Sequence, residues 1–512
     1  MRSNTRDDKI MEVIYSPPGG HPDPSRDLCR SETKQTIMAV KKKLKKFSEY
    51  AEKILPHEAS YLLGVENFED PEKKSILEKI AHNSNNFNRA ESYDTSIDKR
   101  KYTNLKNWID ARLDDINVDK HFEWINEMDR KVMTDSITPE DELLLLKTIK
   151  SYRHPIYNFM KYYELMLNFR HFLLIRLRYD DHKIVNQFIT AYKDPYDKAR
   201  EVNQKLHQAT VDIIDQYSLN NTESRHWESW LTDIFYNEQL DGNNRYFAII
   251  RLTFMYFNYR EFDKLKTLYD HLDGLLAKGF FYSRRILYNY YANRLMLHSK
   301  FDVLQQAEEY GYLSIRQKNA DHLQYLTNFS SILLRRGKID EALSLLKESM
   351  TEMKISHNFH NKIGFVAFYV KCLNLNNQPQ DGERYAESFL RINKEHVLAK
   401  RWYIFFTAYL NSLLLQEKYE KVIHTCKRYG LLVRDREDQK KPIYLPTIRW
   451  YYEMSMYMEG RIAEDKLIEA ITTSGKDYLT NHHKSSVIQD LLDDLQIHVP
   501  HIIKEIKSSL HF

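Results

Sequence analysis

Glycine and proline are scarce in this 512-residue chain, 13 of each, and the scarcity argues against architectures built on tight reversals. Strands need turns, and turns draw on Gly for positive φ and on Pro for a preset φ. A chain with about half the usual share of both is expected to consist of long helices. Cysteine is scarcer still. Cys29, Cys372 and Cys426 are scattered without metal-ligand spacing, so no disulfide framework is expected and a reducing, cytoplasmic setting is. No run of about 18 apolar residues occurs. The greasiest stretches, such as Phe172 to Ile175, meet charge within a few positions, so no membrane span is expected. Met1 to Lys9 are polar and contain two Asp, with no apolar segment behind them, so a secretory signal is not expected either. Charge of one sign is also lacking. Lys and Arg number 76 against 72 Asp and Glu, a net of +4, so any nucleic-acid surface would have to be local. There is no Walker-type phosphate loop, no GxGxxG after a strand, no GxSxG elbow and no CxxC. No catalytic residue, metal or cofactor is therefore assigned.

What is present is a globular balance, 42% hydrophobic and 29% charged, in a chain longer than one core usually serves. Two domains or one elongated array is the expectation. Residues 1–36 read as an extended tail, with Pro17, Pro18, Gly19, Gly20, Pro22 and Pro24 packed together. A basic helix comes next. Ile37, Val40, Leu44, Phe47, Ala51 and Ile54 recur at helical steps, Lys41, Lys42, Lys43, Lys45 and Lys46 crowd its first half, and Pro56 ends it. The lysines could meet acidic headgroups or phosphate, but a solvated face is the simpler reading of one such run. Further on, Thr138-Pro139-Glu140-Asp141 has the form of a helix start, with a capping hydroxyl, a first-turn Pro and acids at the positive end of the dipole.

The clearest internal signal is Tyr325 to Met350. Leu326, Phe329, Ile332 and Leu333 form one helical face, Gly337 breaks it, and Ile339, Ala342, Leu343, Leu345 and Leu346 form a second. A small residue at Ala342 permits close approach of two antiparallel helices. Comparable units centre on Phe262, Phe301, Pro379, Tyr419 and Ile462, so the anchors 262, 301, 339, 379, 419 and 462 are spaced by 38 to 43 residues. Such a hairpin cannot bury its apolar face alone and needs neighbours.

The Tyr325–Met350 stretch resembles one hairpin of the tetratricopeptide (TPR) family, including the small residue inside its second helix. The units depart from that family in three ways. Their spacing exceeds the usual period of about 34 residues, they lack the closing Pro, and three carry Leu265, Leu304 or Val422 at the small position. The resemblance implies an all-α chain whose residues 236–475 form an α-solenoid of TPR-like hairpins. A helical region at 37–235 would precede it and a helical cap at 476–512 would close it. An irregular bundle would show the same apolar periodicity.

If the resemblance holds, first helices line a concave groove. Asn289, Asn293, Thr327, Ser331, Arg335, Lys371 and Asn411 would then face a partner, since Asn and Arg can hold a peptide's amides or terminal carboxylate. The implied function is a cytoplasmic scaffold or sensor that binds a protein or peptide, with oligomeric state open. Two other classes compete. One is an RNA-binding helical repeat that stacks bases on Tyr and Arg. The other is a HEPN-type ribonuclease, because Arg391 and His396 match that family's Arg-x4-His spacing. His482-His483 and Asp180-Asp181-His182 lack the spacing that puts two metal ligands on one helical face.

Overall fold

The structure is a computed structural model and describes residues 44–86, 90–219, 223–439, 444–482 and 485–511. Among these residues there are 26 α-helices, one 3-10 turn at Arg225–Trp227, and no strand. No helix among them is long and apolar enough to cross a membrane. The chain divides into two compact units, Met1–Asp110 and Ala111–Phe512.

In the first unit, α1 (Lys45–Ala51), α2 (Pro56–Val65) and α3 (Pro71–Asn85) precede α4 (Lys99–Ile116). The expected apolar face of the basic helix is buried at Leu44, Phe47, Ala51 and Ile54, while Lys45 and Lys46 are exposed. Ile37, Val40 and Lys41 to Lys43, like the tail at 1–36, lie outside the described residues. Pro56 opens α2 at its first position, and the Glu58 carboxylate, wholly buried, accepts from the Leu55 amide at 2.9 Å.

The second unit takes in the last residues of α4 and continues with α5 (Val118–Met133), α6 (Pro139–Lys150), α7 (Phe159–Ile175), α8 (Tyr179–Ala191), α9 (Lys193–Leu219) and α10 (Glu228–Tyr236). Thr138 caps α6 as its sequence implies, with reciprocal bonds between Thr138 and Asp141. Helix pairs come after α10. These are α11 (Gly242–Tyr259) with α12 (Phe262–Ala277), α13 (Arg284–Lys300) with α14 (Leu304–Ser314), and α15 (His322–Arg335) with α16 (Ile339–Glu348) and α17 (Met350–Ile355). Next come α18 (Phe359–Leu375) with α19 (Pro379–Lys400), and α20 (Trp402–Leu414) with α21 (Tyr419–Arg428) and α22 (Leu431–Asp438). The last are α23 (Thr447–Met458) with α24 (Glu464–His482), and α25 (Ser485–Gln496) with α26 (Pro500–Leu510). The principal packing joins helices close in chain order, and one apolar cluster runs from Leu295 to Leu510. A separate cluster, Ile125 to Ala199, serves α5 to α9. The boundary expected at 235/236 falls at the end of α10, which packs on α11, and residue 475 falls inside α24.

One turn recurs. A helix end leaves its last carbonyls unpaired, and a left-handed residue just beyond lets later amides fold back onto them. Nine reversals among the described residues do this, with positive φ at Asp135, Leu177, Arg260, Gly279, Asp302, Gly337, Asn377, Glu417 and Gly460. In each, the next amide donates to the carbonyl five residues back, as Arg178 does to Leu173 and Arg461 to Met456, at 2.8–3.1 Å. The second helix starts two residues after the left-handed one in six cases, and at Pro139, Arg284 and Glu464 after Asp135, Gly279 and Gly460. Five of the expected anchors (262, 339, 379, 419 and 462) lie two residues past such a turn. The sixth moves from Phe301 to Leu304, because the left-handed residue there is Asp302.

That shift alters the small position. With α14 starting at Leu304, the counterpart of Ala342 is Ala307, also fully buried, and in α19 it is Gly382. A Cβ on Gly382 would sit 2.8 Å from Asn374 Oδ1 and 2.9 Å from Ser412 Oγ. Three hairpins therefore keep a small residue where helices approach closely, and Leu265 and Val422 fill the place in two others. The next residue repeats as well. Glu308 and Glu383, both buried, lie one residue past Ala307 and Gly382. Glu308 pairs with Lys338 and, at 2.7 Å, with Arg336; Glu383 pairs with Lys418 at 2.6 Å and Lys421 at 2.5 Å. Lys338 and Lys418 occupy the same turn position, directly after Gly337 and Glu417.

The turn is testable because Gly337 has no atom within 4 Å of a would-be Cβ, so Ala there meets only the backbone penalty of its φ of +72°. Gly337→Ala should destabilise by about 1 kcal/mol, whereas Glu417→Gly should be neutral or stabilising by up to about 1 kcal/mol. Urea unfolding of the two variants should shift in opposite directions. A shift of both the same way would show that left-handed strain does not govern these turns.

Candidate functional site

Of the groove residues expected from the sequence, two are in direct contact and a third, Thr327, is buried. Asn289 and Asn293, one turn apart on α13, are half-buried and joined directly, Asn293 Nδ2 donating to Asn289 Oδ1 at 3.1 Å. Neighbouring first helices reach the same place. Tyr246 of α11 donates to Asn289 Oδ1 and Asn289 Nδ2 donates to the Tyr325 hydroxyl of α15, each at 3.4 Å. Three successive first helices thus meet at one amide. The rings of Tyr246 and Tyr325 are buried, and burial pushes both hydroxyls above the ordinary tyrosine range, so they act as neutral hydrogen-bonding groups.

The remaining candidates make other contacts. Thr327 is buried and its hydroxyl donates to the Leu323 carbonyl of its own helix at 2.7 Å, so it does not face outward as expected. A threonine in mid-helix can satisfy itself in this way, which removes the cost of turning inward. Ser331 is half-buried and bonds the Asn328 carbonyl at 2.8 Å. Arg335 is exposed and fastens the preceding turn through Asp302 at 2.9 Å and the Ser299 carbonyl at 3.1 Å. Lys371 is exposed, and Asn411 receives a bond from Asn374 at 3.1 Å in a second polar contact between first helices.

Sequence reasoning missed the partner of the α13 stripe. Arg285 precedes Asn289 by one turn, and its guanidinium donates twice to Asp119 of α5, at 2.8 and 3.1 Å. The carboxylate holds Arg285 firmly charged, its pKa raised by that pairing against the cost of burial. Two backbone contacts make the same junction. The Val118 amide donates to the Tyr282 carbonyl at 2.9 Å, and Asn158 Nδ2 to the Val118 carbonyl at 2.7 Å. Residues 166 apart in sequence meet here, and no local pattern foretells such a contact. Beside the junction lies a cleft of about 280 Å³, with Tyr157, Met160, Phe122 and Phe247 as apolar walls and Asp119, Arg285, Lys161, Asn243 and Asp241 as polar groups.

Asp241 is buried at the N-cap of α11. It accepts from the Asn244 amide at 3.0 Å and the Asn244 side chain at 2.8 Å, while Asn244 also donates to the Ala199 carbonyl at 2.8 Å. Burial raises its pKa to about 6 even though these hydrogen bonds pull it down. Asp435 behaves alike. Burial pushes it up to about 6, Tyr444 donates to one oxygen at 2.9 Å, and the other oxygen is buried without a partner.

Other chemistry finds little support in this geometry. Burial raises the thiols of Cys372 and Cys426 to about 12, so neither forms a thiolate near neutrality. Among the described residues, no group of three His, Cys, Asp or Glu could hold a metal ion. Asp181 is paired with Arg178 at 2.5 Å, and the side chains of His482 and His483 lie outside the described residues. His396 stacks on Phe359, centroids 3.6 Å apart, beyond the kink at Asn393, while Arg391 is exposed before it. No known protein family, curated protein or solved structure matches the chain.

The raised carboxyls carry a definite sign. Between about pH 4 and 6 the folded state holds a proton at Asp435 that the unfolded chain has released, so this group favours folding increasingly as pH falls through that window. Relative to Asp435→Asn, the native chain should gain stability from pH 7 to pH 4, by up to about 3 kcal/mol. Urea midpoints of both proteins across that range would test this, and parallel curves would refute it.

Proposed function

We propose that the chain is a TPR-like α-solenoid that binds an extended segment of a protein partner along the α13 stripe. In this reading Arg285, Asn289 and Asn293 form the floor, Tyr246 and Tyr325 flank it, and the cleft at Asp119 and Lys161 receives one end of the peptide. The observation that carries it is the meeting of three first helices at Asn289, with further polar groups a turn away on each side. An amide with long 3.4 Å contacts can exchange them for a peptide backbone at small cost, since one hydrogen bond replaces another. Two further points support the solenoid, namely the repeated turn and the repeated Glu–Lys pairs at matching positions of successive hairpins. Buried thiols without a disulfide suit a cytoplasmic setting.

RNA is the weaker reading on two counts. Tyr246 and Tyr325 bury their rings and present hydroxyls, so they offer no face for a base to stack on. Arg285 is already neutralised by Asp119, so a phosphate would have to displace a carboxylate.

Selection of the full chain against a display library of unstructured peptides tests the proposal. Selected peptides should lose about tenfold or more in affinity, roughly 1.4 kcal/mol, with Asn289→Ala and Asn293→Ala combined. Their affinity should change little between low and moderate salt. Unchanged affinity in the variant would move the site off α13. Binding to single-stranded RNA that falls steeply with salt would favour the nucleic-acid reading.

A further inference from the structure

One charged group on the wall of the cleft has no opposite charge paired with it. Of the four charged side chains there, Arg285 holds Asp119 at 2.8 and 3.1 Å, and Lys161 holds Glu164 at 2.6 Å. Asp241, the fourth, is only 1% exposed and makes no ion pair among the described residues. Its oxygens take the Asn244 amide at 3.0 Å and the Asn244 side chain at 2.8 Å, which leaves lone pairs on both. Arg245, one turn along α11, is directed instead to the Phe235 carbonyl at 2.9 Å and over the Phe281 ring. Burial is what raises the Asp241 carboxyl, and a cation placed against it would reverse that.

The hydrogen-bonding groups favour the same sign. Amides of the helix starts beside the cleft are already used, Val118 by the Tyr282 carbonyl at 2.9 Å, Asn243 by the Tyr157 carbonyl at 3.1 Å and Asn244 by Asp241 itself. An anion would find few free donors among them. Acceptors remain at Asp241 and at the side-chain carbonyl of Asn243, which makes no hydrogen bond among the described residues.

The rest of the wall is apolar and mostly aromatic, with Phe122, Tyr157, Phe247 and Met160. Aromatic faces are electron-rich and attract a cation, and the same rings cover an aliphatic stem. A neutral apolar group would leave Asp241 without a counter-charge. A metal ion would lack ligands, since no group of three His, Cys, Asp or Glu gathers among the described residues. We infer that the cleft binds an alkylammonium group, with Asp241 as its counter-ion and the rings of Phe122, Tyr157 and Phe247 around its stem. The source of that group rests on the peptide reading above, in which it is the partner's free amino terminus or a lysine side chain at that end.

Saturation-transfer NMR of the full chain with n-pentylammonium, pentanoate and 1-pentanol tests the inference, because the three share an alkyl chain and differ in charge. Pentylammonium should bind, and the other two should bind about tenfold more weakly or worse. Asp241→Asn should weaken pentylammonium about tenfold or more, and Asn caps a helix as well as Asp does, so circular dichroism should not change. Independently of that variant's folding, Phe122→Leu, at a ring that is 40% exposed, should weaken it about threefold. Pentylammonium that fails to bind, that binds no better than pentanoate or pentanol, or that keeps its affinity in folded Asp241→Asn overturns the inference. None of these readouts involves Asn289 or Asn293, so a failed α13 stripe leaves them unchanged, and their failure leaves the stripe's own test standing. Among peptides selected on the full chain, affinity lost on acetylating the amino terminus would identify that terminus as the source. Affinity lost on replacing lysine with norleucine would identify the side chain, and loss with neither would overturn the inference.

Discussion

The reversal between paired helices is the constraint on which the second unit depends. A helix that stops must satisfy its last carbonyls, and a chain that turns back at once has no room for water to do it. The left-handed residue solves both problems, because it reverses the chain and aims the next amide at the carbonyl five residues back. Among the described residues, Gly279, Gly337 and Gly460 meet this demand without strain. At the other six turns a side chain is held in a disfavoured region at a cost of about 1–2 kcal/mol each, offset by burying the second helix against its neighbours. Geometry is therefore kept from turn to turn while residue type is not.

Fixing the turn also fixes the residues beyond it. The residue after the left-handed position always leaves the helix end in the same direction, which is why Lys338 and Lys418 both reach a buried glutamate of the preceding hairpin. Burial alone would raise the Glu383 pKa, and bonds from Lys418 and Lys421 more than reverse this. Such a pair stays ionised at neutral pH and fixes the stagger of one hairpin on the next. It acts for register more than for net stability, since desolvating the charges absorbs much of their attraction. The Glu308 pair joins the α13–α14 hairpin to the α15–α16 hairpin, the same two that meet through Asn289 and Tyr325.

Features resting on local chemistry are legible in the sequence. The all-helical class is written in scarce Gly and Pro, the α6 cap in Thr138 and Asp141, and the clearest hairpin in Gly337 and Ala342. Illegible are the left-handed residues that are not glycine, because Leu177, Arg260 and Glu417 carry no sign of that conformation. Hence periodicity alone puts the second anchor at Phe301, conceals the role of Ala307, and gives no hint of the hairpin that closes at Leu177. Asn289 and Asn293 stand out as amides in an aromatic helix. Arg285 does not, because its meaning comes from Asp119, which is distant in the chain. Thr327 reads as an outward-facing residue because composition does not reveal a hydroxyl bonded to its own helix.

Packing between near neighbours decides where binding surfaces arise. When a hairpin is covered mainly by the hairpins beside it, its own sequence decides little about its exposure, and the absence of a neighbour decides much. The turn at Leu177 has the same backbone bonds as the others, yet Tyr179, which opens the next helix, is exposed where Phe262, Leu304, Ile339, Pro379, Tyr419 and Ile462 are at least half-buried. The α13 stripe is the opposite case, since first helices on both sides converge on Asn289 and leave a polar line between them. The edge at Leu177 is apolar and open, whereas the α13 stripe is polar because a first helix lies on each side of it.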